Sequence, residues 1–316
     1  MLNIIIPLFN EAATIAELHG RLVKVCATLN VPWQIIYVDD GSVDTTVAQV
    51  LEYVEGEQRV ALVQLSRNFG QQAAISAGLS HARGDAAVLL DGDLQDPPEV
   101  IPELVSKWQA GAQIVVAQRR SRKDSGIRKL GFSLFHRIYK YLADFKVVPH
   151  TGTFCLLGRE AIDAICDLPE SHRFLPALRS WVGMPSETIQ YDRGQRFAGP
   201  PSQSLRRLIG YAGDAVFSFS LKPLRLMTAT GCCICTGSFL AACWFVGKRL
   251  LGQEDAAIGF TTLVCAVVGL GGFQLIGLGL IGEYIGRIYE EVKRRPQFVV
   301  QRTHNLASPH RISQQP

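Results

Sequence analysis

Several familiar signals are missing from this sequence. Met1-Leu-Asn-Ile-Ile-Ile-Pro7 has no basic start and no long apolar core, and Glu11 follows at once, so a secretory signal peptide is not expected. The eight cysteines form neither a pair of Cys-x-x-Cys motifs nor a cluster with histidines, which argues against a zinc site. They read instead as small buried residues. An excess of one charge is missing too: a net charge of +4 is too weak to imply a nucleic-acid partner. There is no internal repeat or low-complexity tract. With 316 residues, 47% of them hydrophobic, the chain can bury a core as one large domain or two smaller ones.

Charge is absent altogether from two stretches of the second half. Leu226–Gly247 and Ala256–Gly282 contain no Asp, Glu, Lys or Arg, and only Lys248–Asp255 separates them. Each reaches the roughly 20 residues a bilayer-crossing helix needs, so a two-span transmembrane hairpin is expected, against the alternative of two buried core helices. Lys222 and Arg225 lead in and Arg287, Lys293, Arg294 and Arg295 follow, whereas the loop offers only Lys248 and Arg249. The positive-inside bias then puts both termini in the cytoplasm. The expected division is a large N-terminal domain over 1–222 (halves 1–125 and 126–222), the hairpin over 223–286 and a partly disordered tail over 287–316. Gly282-Glu-Tyr-Ile-Gly286 is a GxxxG that lets helices approach and permits a homo-oligomer. Gly277-Leu-Gly-Leu-Ile-Gly282 fits the dinucleotide fingerprint, but no strand precedes it and no ribose-binding acid follows, so a dehydrogenase is rejected.

The first 120 residues alternate. Asn3–Ile6, Trp33–Val38, Val60–Gln64, Ala86–Leu90 and Ile114–Ala117 read as strands. Glu11–Thr28, Asp44–Val54 and Gln71–Ala82 read as helices, the first on the spacing of Ile15, Leu18, Leu22 and Val25, and Pro97 opens another. Such alternation implies an α/β, Rossmann-like, mostly parallel sheet covered on both faces. Ligands then bind beyond the carboxyl ends of the strands, which selects the segments after Ile6, Val38 and Leu90. Ile127–Leu142 and Leu205–Phe219 carry basic amphipathic helical stripes suited to the sheet surface or a membrane interface.

Asp91-Gly92-Asp93 follows a buried-type strand. Two carboxylates one residue apart can face one hard cation, which bridges phosphate oxygens and neutralises a leaving diphosphate; a lone pair of this kind is more often a solvated turn. Asp39-Asp40-Gly41-Ser42 ends a strand in the same way, its acids able to accept hydrogen bonds from a base or ribose or to cap the next helix. Pro7-Leu8-Phe9-Asn10-Glu11 ends the first strand.

Taken together, Pro-Leu-Phe-Asn-Glu, Val-Asp-Asp-Gly-Ser-Val-Asp, Leu-Ser-Arg-Asn-Phe-Gly-Gln-Gln-Ala-Ala and Leu-Asp-Gly-Asp-Leu-Gln-Asp-Pro-Pro-Glu resemble the family 2 glycosyltransferases, and within them the polyprenyl-phosphate group. Order and spacing match over roughly residues 2–225. The resemblance implies a GT-A fold, an inverting reaction, a UDP- or GDP-linked sugar donor, Mg²⁺ or Mn²⁺, and a polyprenyl phosphate acceptor at the cytoplasmic membrane face. Carried over by position, Pro7, Phe9, Asn10, Glu11, Asp39, Asp40, Gly70, Gln72, Asp91 and Gly92 would bind the nucleotide sugar. Asp91, Asp93 and Gln95 would surround the metal. Arg119 and Arg122 would act with Asp91 and Asp93 in catalysis and, with Lys129, Arg193 and Arg196, would hold the acceptor phosphate.

The chain also departs from that pattern. Thr153-Phe154-Cys155 stands where many members have Asp-Phe-Arg, Gly199-Pro-Pro-Ser202-Gln203 replaces a Gly-x-Ser-Lys-Tyr-like run, and Pro176 stands where an arginine is frequent. The missing Asp is often proposed as a base. A phosphate monoester, however, is already largely anionic at neutral pH, with a second pKa of about 6, so its oxygen can attack without proton removal. Two alternatives stand beside sugar transfer to a lipid phosphate. A processive polysaccharide synthase needs a Gln-x-x-Arg-Trp motif, for which Arg179-Ser-Trp181 has the wrong spacing; an inactive nucleotide-sugar-binding scaffold is motivated by the substituted acceptor residues.

Overall fold

The computed structural model describes residues 1–120, 151–170, 173–192, 222–250 and 260–306. The apolar runs of the first half become strands β1 (Leu2–Leu8), β2 (Trp33–Asp39), β3 (Val60–Leu65) and β4 (Ala86–Leu89). They are buried nearly end to end, as expected of strands with helices on both faces. Between them lie α1 (Ile15–Ala27), α2 (Thr46–Gly56) and α3 (Gln71–His81). Helix α1 buries Ile15, Leu18, Leu22 and Val25, as the spacing predicts. Helix α3 has no such stripe and is buried almost all round, from Ala74 to Leu79. Its small residues allow this: a Cβ on Gly78 would stand 2.2 Å from Ile5 Cγ2.

A short 3₁₀ turn and α4 (Ile101–Gln109) lead into β5 (Ile114–Arg119). Then come β6 (Thr151–Gly158), α5 (Arg159–Cys166), α6 (Leu175–Val182), β7 (Ser186–Tyr191), α7 (Lys222–Leu250), α8 (Phe260–Val292) and β8 (Val300–His304). The strand order is β7-β5-β6-β4-β1-β2-β3-β8. Pairs β1–β2, β1–β4, β2–β3 and β5–β7 are parallel, whereas β4–β6, β5–β6 and β3–β8 are antiparallel. The Rossmann-like α/β expectation holds, but the sheet is mixed rather than mostly parallel. The reversed β6 matters most. Leu89 pairs with Cys155 and Gln118 with Thr151, so the start of β6 lies beside the carboxyl ends of β4 and β5.

The described residues fall into two compact units. One holds the sheet with α1–α6, including the chain from Arg295 onward; the other holds α7 and α8. Among the described residues no helix is long and apolar enough to cross a membrane. This overturns the two-span transmembrane hairpin, and with it the membrane location and the cytoplasmic orientation of the termini. The charge-free runs do form long helices, α7 and α8. Helix α7 carries Thr228, Thr230, Thr236, Gly231, Gly237 and Ser238, with the threonine hydroxyls bonded to carbonyls four residues back. Helix α8 carries seven glycines from Gly269 to Gly286, together with Gln274, Glu283 and Arg287. The GxGxxG run lies inside α8, and a Cβ on Gly277 would overlap Met227 Cε at 1.8 Å, so this glycine serves close packing of α7 on α8. Cys26 and Cys155 are buried as expected, whereas Cys232, Cys233 and Cys243 are exposed on α7. The two amphipathic stripes at 127–142 and 205–219 lie outside the described residues.

Strand β8 gave no signal in the sequence. Val-Gln-Arg-Thr-His is polar and largely exposed, and its order comes from pairing with β3 and from the residue after it. Asn305 adopts a left-handed conformation, φ 53°, and its Nδ2 donates to Val54 O at 2.7 Å and Val60 O at 3.0 Å. Asn305→Ala removes both bonds and is expected to cost about 1–2 kcal/mol in thermal unfolding. Asn305→Gly, which restores only the backbone freedom, should recover part of that loss.

Candidate functional site

Because β1, β2 and β4 are parallel, their carboxyl ends gather three loops at one edge of the sheet. The first two are hydrogen-bonded together. Asn10 N donates to Ser42 Oγ and Val43 N to Asn10 Oδ1, both at 2.9 Å, while Glu11 N donates to Thr46 Oγ1 at 2.9 Å. Asp39 accepts from Ser42 N at 3.1 Å. Asn10 sits at φ 55°, a conformation asparagine tolerates better than most residues. Phe9, 45% exposed, stands at this rim. The fold thus brings Pro7, Phe9, Asn10, Glu11 and Asp39 together.

Asp40 has another use. It is buried, and its two oxygens accept from the amides of Phe69 (2.7 Å) and Gly70 (2.9 Å), fixing the loop that leads into α3. Burial raises its pKa, and those two amide bonds oppose the rise. The adjoining Gly41 is required: φ is 73°, and a Cβ would lie 2.6 Å from the Arg67 carbonyl carbon.

The third loop carries the acids. Asp91 Oδ1 accepts from Gln71 Nε2 at 2.7 Å and from Thr153 Oγ1 at 2.8 Å. Gly92 lies against β1, where a Cβ would meet Leu8 Cδ2 at 2.7 Å, and its carbonyl accepts from Thr14 Oγ1 at 3.0 Å. Asp93 Oδ1 accepts from Gln95 N at 3.1 Å. Leu94 is buried at φ 59°, a left-handed conformation that costs a side chain roughly 1–2 kcal/mol and turns the loop so that Asp96 points inward. Asp96 is wholly buried and accepts from Tyr191 Oη at 2.5 Å. Burial first, then the negative charges of Asp96 and Asp93, push the Asp91 pKa up to about 6, against the pull of the Thr153 hydroxyl and Arg119.

Arg119, at the end of β5, donates from Nε to Tyr191 Oη at 3.1 Å and places its guanidinium 3.7 Å from Asp96. Arg122, Lys129, Arg193 and Arg196 lie outside the described residues, as do Ser202 and Gln203. Gln72 points away from the acids: its Oε1 accepts from Leu175 N at the start of α6, 3.0 Å, and its neighbour Gln71 reaches Asp91 instead. The two glutamines are adjacent, so only the phase of α3 separates their roles. Tyr191 was likewise not singled out by the sequence, nor was Thr153 as a partner of Asp91.

Among the described residues no group of three or more His, Cys, Asp or Glu side chains is arranged to hold a metal ion. Asp91 and Asp93 do offer two carboxylates, with Gln95 beside them. That set fits Mg²⁺ or Mn²⁺ bound jointly with phosphate oxygens, since Mg²⁺ commonly uses one or two carboxylates and takes its other ligands from water and substrate. Burial leads in raising the Asp91 pKa, and the further rise from the charges of Asp96 and Asp93 is a repulsion that a cation relieves.

The model of the glycosyl transferase family 2 matches residues 3–166. The chain belongs to glycosyltransferase family 2. An uncharacterized glycosyltransferase of Synechocystis is 41% identical to it over 95% of this chain and 94% of the relative. An SfII prophage-derived bactoprenol glucosyl transferase of Shigella flexneri is 35% identical over 96% and 98%. The mannosyl-3-phosphoglycerate synthase of Rubrobacter xylanophilus superposes with a TM-score of 0.51 at 19% identity, covering 73% of this chain and 75% of that one. The fold of this glycosyltransferase is therefore GT-A, a Rossmann-like α/β fold on a mixed sheet.

Two outcomes follow for the acid loop. The folded Asp91 carboxyl keeps its proton up to about pH 6, well above its ordinary value of 3.8, so folding takes up a proton between these values and this group's effect on stability turns unfavourable as pH rises through them. Asp91→Asn should accordingly raise the metal-free melting temperature at pH 7 by about 2–4 °C while abolishing transfer. Thr153→Val, which removes a hydrogen bond to a charged group worth about 1.5–3 kcal/mol, should lower kcat/KM by roughly 10- to 100-fold, and Thr153→Ser should restore most of it.

Proposed function

We propose that this glycosyltransferase moves one sugar from a UDP- or GDP-linked donor onto a polyprenyl phosphate, with inversion at the anomeric carbon. The observation that carries the reading is the Asp91 carboxylate. It stands at the end of β4, held by Gln71 and Thr153, between the zipped β1 and β2 loops on one side and Arg119 on the other. The near full-length similarity to a bactoprenol glucosyl transferase supports the choice of acceptor.

In this reading the rim of Pro7, Phe9, Asn10, Glu11 and Asp39 binds the nucleoside, and Asp40, through the Phe69–Gly70 amides, holds the loop from which Gln71 reaches Asp91. A Mg²⁺ or Mn²⁺ held by Asp91 and Asp93, with Gln95 beside them, would neutralise the charge that develops on the leaving diphosphate. The acceptor phosphate oxygen forms the new bond to the anomeric carbon as the bond to the nucleoside diphosphate breaks. Since the phosphate is already anionic, no residue has to remove a proton, and positioning with charge stabilisation carries the step. Arg119 supplies positive charge to the phosphates, and the same is proposed for Arg122, Lys129, Arg193 and Arg196. Thr153 occupies the place of the absent base and serves Asp91 instead.

The test incubates the full chain with a panel of radiolabelled nucleotide sugars and undecaprenyl phosphate. Label should move into the organic extract with one donor, stop when EDTA is added, and fall at least about 100-fold in Asp93→Ala. No lipid product from any donor would overturn the proposal.

A further inference from the structure

We infer that Tyr191 is a positioning residue that, with Asp96, presets the guanidinium of Arg119 toward Asp91 before any ligand arrives. Arg119 and Tyr191 are direct cross-strand neighbours, paired in the register of β5 with β7. The direction of each hydrogen bond is fixed by chemistry. Arg119 Nε can only donate, so the Tyr191 oxygen accepts from it at 3.1 Å. The Tyr191 hydroxyl in turn donates its proton to Asp96 Oδ1 at 2.5 Å. The chain of donors therefore runs from Arg119 through Tyr191 to Asp96, and each bond polarises the next.

The anchor of this relay is rigid. Asp96 is wholly buried and Tyr191 is 4% exposed, and the Tyr191 ring packs edge-on against Phe154 with centroids 5.5 Å apart. The guanidinium at the other end lies across β6, where a Cβ on Gly152 would stand 2.8 Å from Arg119 Nη2. Gly152 precedes Thr153, the residue bonded to Asp91. Lack of a side chain at 152 thus leaves the path along which Arg119 reaches the acids. The 3.7 Å separation from Asp96 is too long for a hydrogen bond, so without the tyrosine hydroxyl the arginine head would be held by charge alone, which sets no orientation. A planar fork that must meet phosphate oxygens depends on orientation.

The inference rests on the proposed sugar transfer only for its kinetic consequence, and two measurements keep the two apart. In the full chain carrying ¹⁵N-arginine, the Arg119 Nε–H should exchange slowly with solvent. Tyr191→Phe keeps the ring against Phe154, and Gly152→Ala displaces only the arginine head; both should abolish that protection, Gly152→Ala without moving the unfolding midpoint and Tyr191→Phe with a lowered one, because buried Asp96 loses a hydrogen bond. An Nε–H unchanged in Tyr191→Phe overturns the inference. In the transfer assay Tyr191→Phe should lower kcat by about 10-fold or more, and adding it to Arg119→Ala should change the rate by less than about 2-fold. Losses that multiply in the double variant would show that Tyr191 does not act through Arg119, and overturn the inference as well. Should the wild-type chain transfer no sugar, the functional proposal fails, and the exchange measurement still decides whether Tyr191 holds Arg119.

Discussion

Three carboxylates, Asp91, Asp93 and Asp96, crowd the loop after β4, and the rest of the site is arranged around their mutual repulsion. Each acid is answered from elsewhere in the fold. Gln71 of α3 and Thr153 of β6 hold Asp91. The Gln95 amide holds Asp93. Tyr191 of β7 and Arg119 of β5 meet Asp96. Burying charge is expensive unless partners are in place, and here the partners come from elements far apart in sequence. The acids cannot adopt this arrangement until the sheet is complete.

The reversal of β6 makes that possible. Run parallel to its neighbours, β6 would end at this edge and carry Thr151–Thr153 to the opposite one. Run antiparallel between β4 and β5, it begins at the site, and its first residues stand between Asp91 and Arg119. The same reversal gives Thr153 its place beside Asp91. A carboxylate at 153 would add a further negative charge beside Asp91, whose pKa already stands near 6. A threonine there donates a hydrogen bond and steadies the charge. Sites that keep like charges close give up stability for function, and the left-handed Leu94 and Asn10 are further costs of the same kind.

A second dependence runs through loops rather than charges. Asp40 spends both oxygens on the Phe69 and Gly70 amides, and these precede Gln71, whose amide meets Asp91. The acidic pair after β2 is therefore divided in its work. Asp39 faces the rim with Asn10 and Ser42, while Asp40 ties that rim to the acid loop through the start of α3.

The sequence by itself determined the alternating strands and helices of the first 120 residues, because short continuous apolar runs and 3.6-residue stripes are local properties of the chain. It also determined which strand ends gather at one edge, since parallel strands put their loops there. It misjudged α7 and α8, expected as a transmembrane hairpin, since among the described residues no helix is long and apolar enough to cross a membrane. Tertiary structure alone decided the direction of β6, the return of polar β8 to the sheet, the choice of Gln71 over Gln72, and the meeting of Tyr191 with Arg119 and Asp96. These depend on contacts between residues dozens to hundreds of positions apart, and no local pattern encodes which hydroxyl will face which buried charge once the backbone has closed around it.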